Sequence, residues 1–232
     1  MFAFVRRYVR DEIIMTALIL GSAIGIFGIA FGVLSVNTGL TTLQTQCMSI
    51  FVFTGASQIA AVSIISTGGS QTTALIAALI LAMRNGLYGL RLIPIITGSL
   101  PKRLLASQLI IDESTGMASA QVDQKDSFRA FWLGGVSVFI FWNLGTLLGS
   151  LIGASVDDPK NLGLDIVFPV TFLALLKPQL TSIGRISIAL IASFIALVTA
   201  PFLPLGIPIL LAALAVLLPV FFPSFKYFKD NL

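Results

Sequence analysis

The sequence predicts an all-α polytopic membrane protein with about seven transmembrane segments, and any count from six to eight fits. Three observations carry this. Hydrophobic residues make up 56% of the 232 residues and charged residues only 10%, with a mean hydropathy of +1.00. A soluble domain carries about 25% charged residues, so a soluble fold of this size could not cover its surface. No Asp, Glu, Lys or Arg occurs between Ile13 and Met83, and a second uncharged stretch covers 186–225. These features exclude a cytosolic enzyme, a nucleic-acid binder and a disordered chain. The net charge of +4 is that of a membrane protein with Lys and Arg on its cytoplasmic loops.

A basic start (Arg6, Arg7, Arg10) precedes an apolar run from Ile13 to Val36. That run is longer than the roughly 7–15 residues of a signal h-region and shows no small-residue cleavage site, so it reads as a retained first span. Turn signals at Asn37-Thr38-Gly39 and Thr67-Gly68-Gly69-Ser70 set off two more spans, near 45–66 and 72–97. A polar segment, 98–129, joins the halves, and within it Leu104–Ile111 is apolar but too short to cross, so it reads as re-entrant or interfacial. Further spans are expected near 130–153, 163–177, 184–200 and 206–222, with Pro201, Pro204, Gly206 and Pro208 splitting the last two. The whole chain, 1–232, reads as one integral membrane domain, with a pattern-level repeat of 13–97 in 130–222. Such repeats with interrupted helices are a common transporter plan.

Lys and Arg are concentrated in the N-terminal tail, segment 98–129, segment 177–185 and the C-terminal tail. This places both termini and segment 98–129 in the cytoplasm of a multi-pass protein. The parity then needs an even number of crossings before residue 98, so one of the first three segments is re-entrant or broken in two. The chain has no histidine, which excludes a Ser-His-Asp triad and a His-ligated metal. No cofactor is indicated. The single Cys47, in an apolar run, reads as a small buried hydrophobe.

Polar residues at membrane depth are the informative ones. Phe53-Thr54-Gly55-Ala56-Ser57-Gln58 lies in the middle of the second segment. A helix broken there would expose N–H groups suited to a carboxylate. The alternative is small-residue packing with Gln58 bonded to a neighbour. Arg84, within Met83-Arg84-Asn85-Gly86-Leu87-Tyr88-Gly89, lies about 18 Å into its helix at 1.5 Å per residue. It needs a carbonyl clamp, a substrate carboxylate, or a counter-ion among Asp112, Glu113 and Asp165. If buried, the adjacent Asp112 and Glu113 repel each other, and one of them suits a coupling proton. At the membrane surface, the simpler reading, they are solvated and cap the next helix. Asp165 reads as a favourable charge near a helix start. The aromatic residues, including Trp132 and Trp142, read as interface belt or lipid-facing surface.

These motifs, in this order, together with Gly163-Leu164-Asp165 and Phe168-Pro169, resemble the AzlC family, the large subunits of branched-chain amino acid exporters. The resemblance runs from about Ala17 to Leu218. It implies a permease of the bacterial inner membrane that exports leucine, isoleucine or valine, with a small hydrophobic AzlD-type partner. Family members commonly carry histidine after the arginine. Here that position is Asn85, so no proton can be handled by a histidine there.

The resulting expectation is secondary, proton-coupled export by alternating access of the two halves. The substrate carboxylate would meet N–H groups near Gly55, Ala56 and Ser57, with Gln58, Asn85 and Arg84 assisting. The ammonium would meet helix-end carbonyls, Glu113 or Asp165. Phe51, Phe53 and Phe168 would line an apolar pocket. Rival readings are a channel or a carrier for another small solute, and a non-transporting membrane scaffold.

Overall fold

The computed structural model describes residues 2–155, 180–203 and 207–217, with Leu173, Leu176 and Lys177 between them. Asp165, Phe168 and all of the span expected at 163–177 except Leu173, Leu176 and Lys177 lie outside the described residues.

The first helix, α1 (Phe2–Asn37), contains the 27-residue apolar stretch Asp11–Asn37. It stops where the turn signal stands. Gly39 takes φ +97°, and the Gly39 and Leu40 N–H groups return to the carbonyls of Val36 and Ser35. This is the Schellman arrangement that satisfies the last carbonyls of a helix. Thr41 then starts α2 (Thr42–Phe51) with a capping box. Its Oγ1 accepts from Gln44 N at 3.2 Å, and its own N–H donates to Gln44 Oε1 at 2.8 Å.

The second apolar segment is broken. α2 ends at Phe51, and α3 (Ala56–Ser66) begins beyond a short non-helical link. Ser70 caps α4 (Gln71–Leu92) by accepting from Thr73 N at 3.1 Å. α4 stops at Leu92, short of the 97 expected: Ile93 keeps helical angles, but Pro94 has no N–H with which to continue the hydrogen-bond ladder. Two short helices, α5 (Leu100–Gln108) and α6 (Asp112–Ser119), occupy the polar segment. α7 (Gln124–Ala154) is a 31-residue span that begins ahead of the expected 130. α8 (Ile183–Thr199) and α9 (Ile207–Ala213) follow, then one 3-10 turn at Leu214–Leu217. Among the described residues there is no strand. Among them, three helices are long and apolar enough to cross a membrane, and α3 and α8 are shorter apolar helices.

Among the described helices the most closely packed pair is α1 and α7, the first helices of the two expected repeats. Lipid tails are as apolar as leucine, so helices in a membrane associate by close backbone approach and interhelical hydrogen bonds. Gly145 and Gly149 of α7 rest against the carbonyl oxygens of Gly25 and Ile29, with no room for a Cβ. Ser137 Oγ adds a bond to Ala17 O at 2.8 Å. α7 also holds α2 through Ser49 Oγ and Thr146 Oγ1 at 3.2 Å. α3 and α4 pack through Ala61, Ile64, Ala74 and Ala77. The outer faces of α1 and α4 carry Ile19, Ile26, Leu79 and Leu87 exposed, as lipid-facing surface should. Cys47 is exposed rather than buried. Its apolar surroundings in sequence are those of a lipid-facing position as much as of a core one.

Candidate functional site

The site is built around the break between α2 and α3. Gly55 adopts φ 56° and ψ −84°, a conformation that a Cβ makes costly. The chain turns there and α3 restarts. Gln58 is fully buried and holds both sides of the break. Its Oε1 accepts from Gly55 N at 3.1 Å, and its Nε2 donates to Met48 O near the end of α2 at 2.8 Å. Gln108, at the end of α5, donates to Ile50 O at 2.7 Å and satisfies another terminal carbonyl of α2. The first-turn N–H groups of α3 at Ala56 and Ser57 have no intrahelical acceptor, and the helix dipole makes this end attractive to an anion.

Beside the break lies a cavity of about 360 Å³. That is at the small end of ligand pockets, which run about 300–1,000 Å³. α4 contributes Leu81, Arg84, Asn85 and Tyr88, a set on one helix face by its spacing. α6 contributes Asp112 and Glu113 from its first turn. α1 adds Ile24 and Phe27, and α7 adds Val138 and Trp142. The break supplies Phe53, Thr54, Gly55 and Ala56. Phe53 is held edge-on by Phe139, with centroids 5.0 Å apart.

Arg84 Nη1 lies 2.7 Å from Asp112 Oδ2, and each side chain is about one-third exposed (33% and 30%). Of the counter-ions considered for Arg84, Asp112 is the one it meets among the described residues, and Asp165 lies outside them. Its Nε is buried with no hydrogen-bond partner among the described residues. The Tyr88 hydroxyl is within hydrogen-bonding reach of Asp112. Glu113 stands next in the same turn. Burial pushes its carboxyl above the ordinary 4.5 and Asp112 pushes in the same direction, while a backbone N–H and Arg84 oppose them. α6 is held in place by Ser114, whose Oγ donates to Leu109 O at 2.6 Å and accepts from Ile111 N at 3.2 Å. Arg91 Nε of α4 donates to Ser119 Oγ of α6 at 3.2 Å.

The structure therefore brings together Phe53, Gly55, Ala56, Arg84, Asn85, Asp112 and Glu113. Asp112 and Glu113 do begin a helix, as a capping pair would, yet they also face the cavity. Ser57 and Gln58 stand behind the lining, both buried. Phe51 points outward, 76% exposed. Trp142 is not a lipid-facing belt residue: it is 3% exposed and stacked on Phe31. Sequence reasoning passes over Tyr88 and the apolar wall of α1 and α7. Tyr88 carries a signal, since it sits one helical turn after Arg84 on the same face.

Chemically the cavity offers helix N–H groups and a guanidinium for an anion, two carboxylates for a cation, and an apolar wall. A family model described as "AzlC protein" matches residues 19–156. That match covers α1 from residue 19 to the end of α7 and thus every cavity residue except Leu176. A protein of Helicobacter pylori strain 26695, named as an uncharacterized membrane protein, is 22% identical over 156 residues. The aligned region is 66% of this chain and 68% of that protein, and a protein of strain J99 matches to the same extent. No solved structure matches the chain.

Proposed function

The chain belongs to the AzlC family of membrane transport proteins, and from that premise we propose that it is a secondary transporter exporting branched-chain aliphatic amino acids. One observation carries the reading. The helix break, the Arg84–Asp112 pair and Glu113 converge on one small cavity with an apolar wall of aliphatic and aromatic side chains. A zwitterion with an apolar side chain presents the complementary set of groups.

In this reading the substrate carboxylate settles at the first turn of α3, at the N–H groups of Ala56 and Ser57, with Arg84 and Asn85 beside it. Arg84 is drawn from Asp112 as it turns to the incoming carboxylate, and Asp112 is left to receive the ammonium. Each ionic group then keeps a partner throughout, which a low-dielectric site requires. Gln58 holds the break and positions the N–H groups rather than touching substrate. Glu113 carries the coupling proton, because its shielded carboxyl favours the neutral form. The chain shows no phosphate-binding GxxxxGK[ST] sequence, which supports a carrier driven by a gradient. The family resemblance supports work with a small AzlD-type membrane subunit. The distribution of Lys and Arg supports insertion in the bacterial inner membrane with both termini cytoplasmic.

The test loads bacterial cells lacking their own exporters with a leucine-containing dipeptide and tracks leucine efflux. Faster efflux when the chain and the adjacent small subunit are expressed together is the expected result. Unchanged efflux, with both proteins shown to be in the membrane, would overturn the assignment.

A further inference from the structure

The cavity walls are sorted by helix. Arg84, Tyr88, Asp112 and Glu113 come from α4 and α6, whereas α1 and α7 give no charged group, and the indole Nε1 of Trp142 is buried with no hydrogen-bond partner among the described residues. A zwitterion held by its charged end among the first set must direct its side chain toward the second. The largest group there is Trp142. It is 3% exposed and stacks on Phe31 of α1, with centroids 5.7 Å apart and planes 22° apart. Its Cη2 reaches across to the helix break, 3.8 Å from where a Cβ on Gly55 would stand.

The ring has no room to retreat. Phe31 lies against one face and is itself fully buried. The backbone beneath is fixed, because Gly28 of α1 abuts the Trp142 carbonyl so closely that an added Cβ would lie 2.6 Å from it. Val138, one turn earlier on α7, lines the same cavity and is 1% exposed. Packed interiors resist changes of even one methylene, so a wall this closely backed acts as a ruler rather than a cushion.

We infer that Trp142, with Val138 beside it, determines specificity by limiting the length and breadth of the side chain that the site admits. The inference rests on the amino-acid reading above and adds the residues that choose among amino acids. Pocket discrimination by one methylene is about 10–200-fold, which sets the scale.

The test uses the full chain with its small subunit in proteoliposomes. Counterflow of labelled leucine is measured against competing valine, methionine and phenylalanine. Trp142→Phe should raise the preference for methionine and phenylalanine over leucine by about tenfold or more. Val138→Ala should shift the ratio the same way without disturbing the Trp142–Phe31 stack, so the inference stays testable if the Trp142 variant does not fold. Leucine transport with wild-type competition ratios in Val138→Ala, and in Trp142→Phe where it folds, would overturn it. Wild-type protein that moves no aliphatic amino acid would overturn the underlying reading as well, and the wild-type vesicles alone show that.

Discussion

Gln58→Ala tests what holds the broken segment together. In the native chain Gln58 is wholly buried and bonds to Met48 O and Gly55 N. The two losses differ in size. Met48 O still accepts from Val52 N at 3.0 Å, so only a net hydrogen bond is lost there, about 0.5–1.5 kcal/mol. Gly55 N loses its acceptor and is left unsatisfied, about 1–3 kcal/mol. Together these give about 1.5–4.5 kcal/mol before any cost of the cavity left behind. For a chain of this length that is on the order of 3–18 °C in unfolding midpoint. The assay is thermal unfolding of the purified protein in detergent, monitored by near-UV circular dichroism. The exposed Cys47 of α2 provides a second readout, since a nitroxide placed there reports the freedom of α2. The reasoning predicts a lower midpoint and a more mobile label. If Gln58→Ala keeps both the midpoint and the label mobility while weakening substrate affinity, Gln58 is a ligand and not a clasp.

Further outcomes rest on the packing and the charges. Gly149→Leu drives a side chain into the Ile29 carbonyl of α1 and should destabilise the chain by about 1–3 kcal/mol or more. Gly86→Ala, whose Cβ meets nothing within 4 Å, should be neutral or stabilising by about 0.5–1 kcal/mol. Unfolding midpoints of the two variants check the contrast. Glu113 gives a pH-dependent outcome. Its folded carboxyl is raised above the ordinary 4.5 by burial first and by Asp112 in addition. The folded chain therefore binds more protons than the unfolded one, and stability falls as pH rises from about 4.5 through the higher folded value. Glu113→Gln should be more stable than wild type at neutral pH, with the gap closing on acidification toward the ordinary carboxylate range. A gap that widened on acidification would show that the sign is wrong.

Much of this site is legible in the sequence because a membrane makes polar residues costly. Arg84 in mid-helix demands a counter-ion, and Asp112 is one of the three carboxylates the sequence offers it. Gly55 amid Thr54, Ser57 and Gln58 marks a break because such residues weaken a helix that has no water to satisfy it. The ends of α1 and α4 are set by Gly39 and Pro94. Other features are not legible, for a reason that is equally physical. Apolar residues face lipid and protein alike, so composition cannot tell Cys47, which is exposed, from Trp142, which is buried. Phe51 and Phe53 are near neighbours in an apolar run, and only the break geometry turns one outward and the other inward. The role of Gln58 depends on the angle at which α3 restarts, which brings Met48 within reach. That angle is a tertiary property.

The most direct test of the central claim asks whether the cavity needs both ends of an amino acid. Leucine counterflow is measured in proteoliposomes in the presence of leucinamide, which lacks the carboxylate, and 4-methylpentanoate, which lacks the ammonium. The account predicts strong competition by unlabelled leucine and little by either analogue, because Arg84 with the α3 N-terminus at one end and Asp112 at the other must both be engaged. Competition by either analogue equal to that of leucine would contradict it.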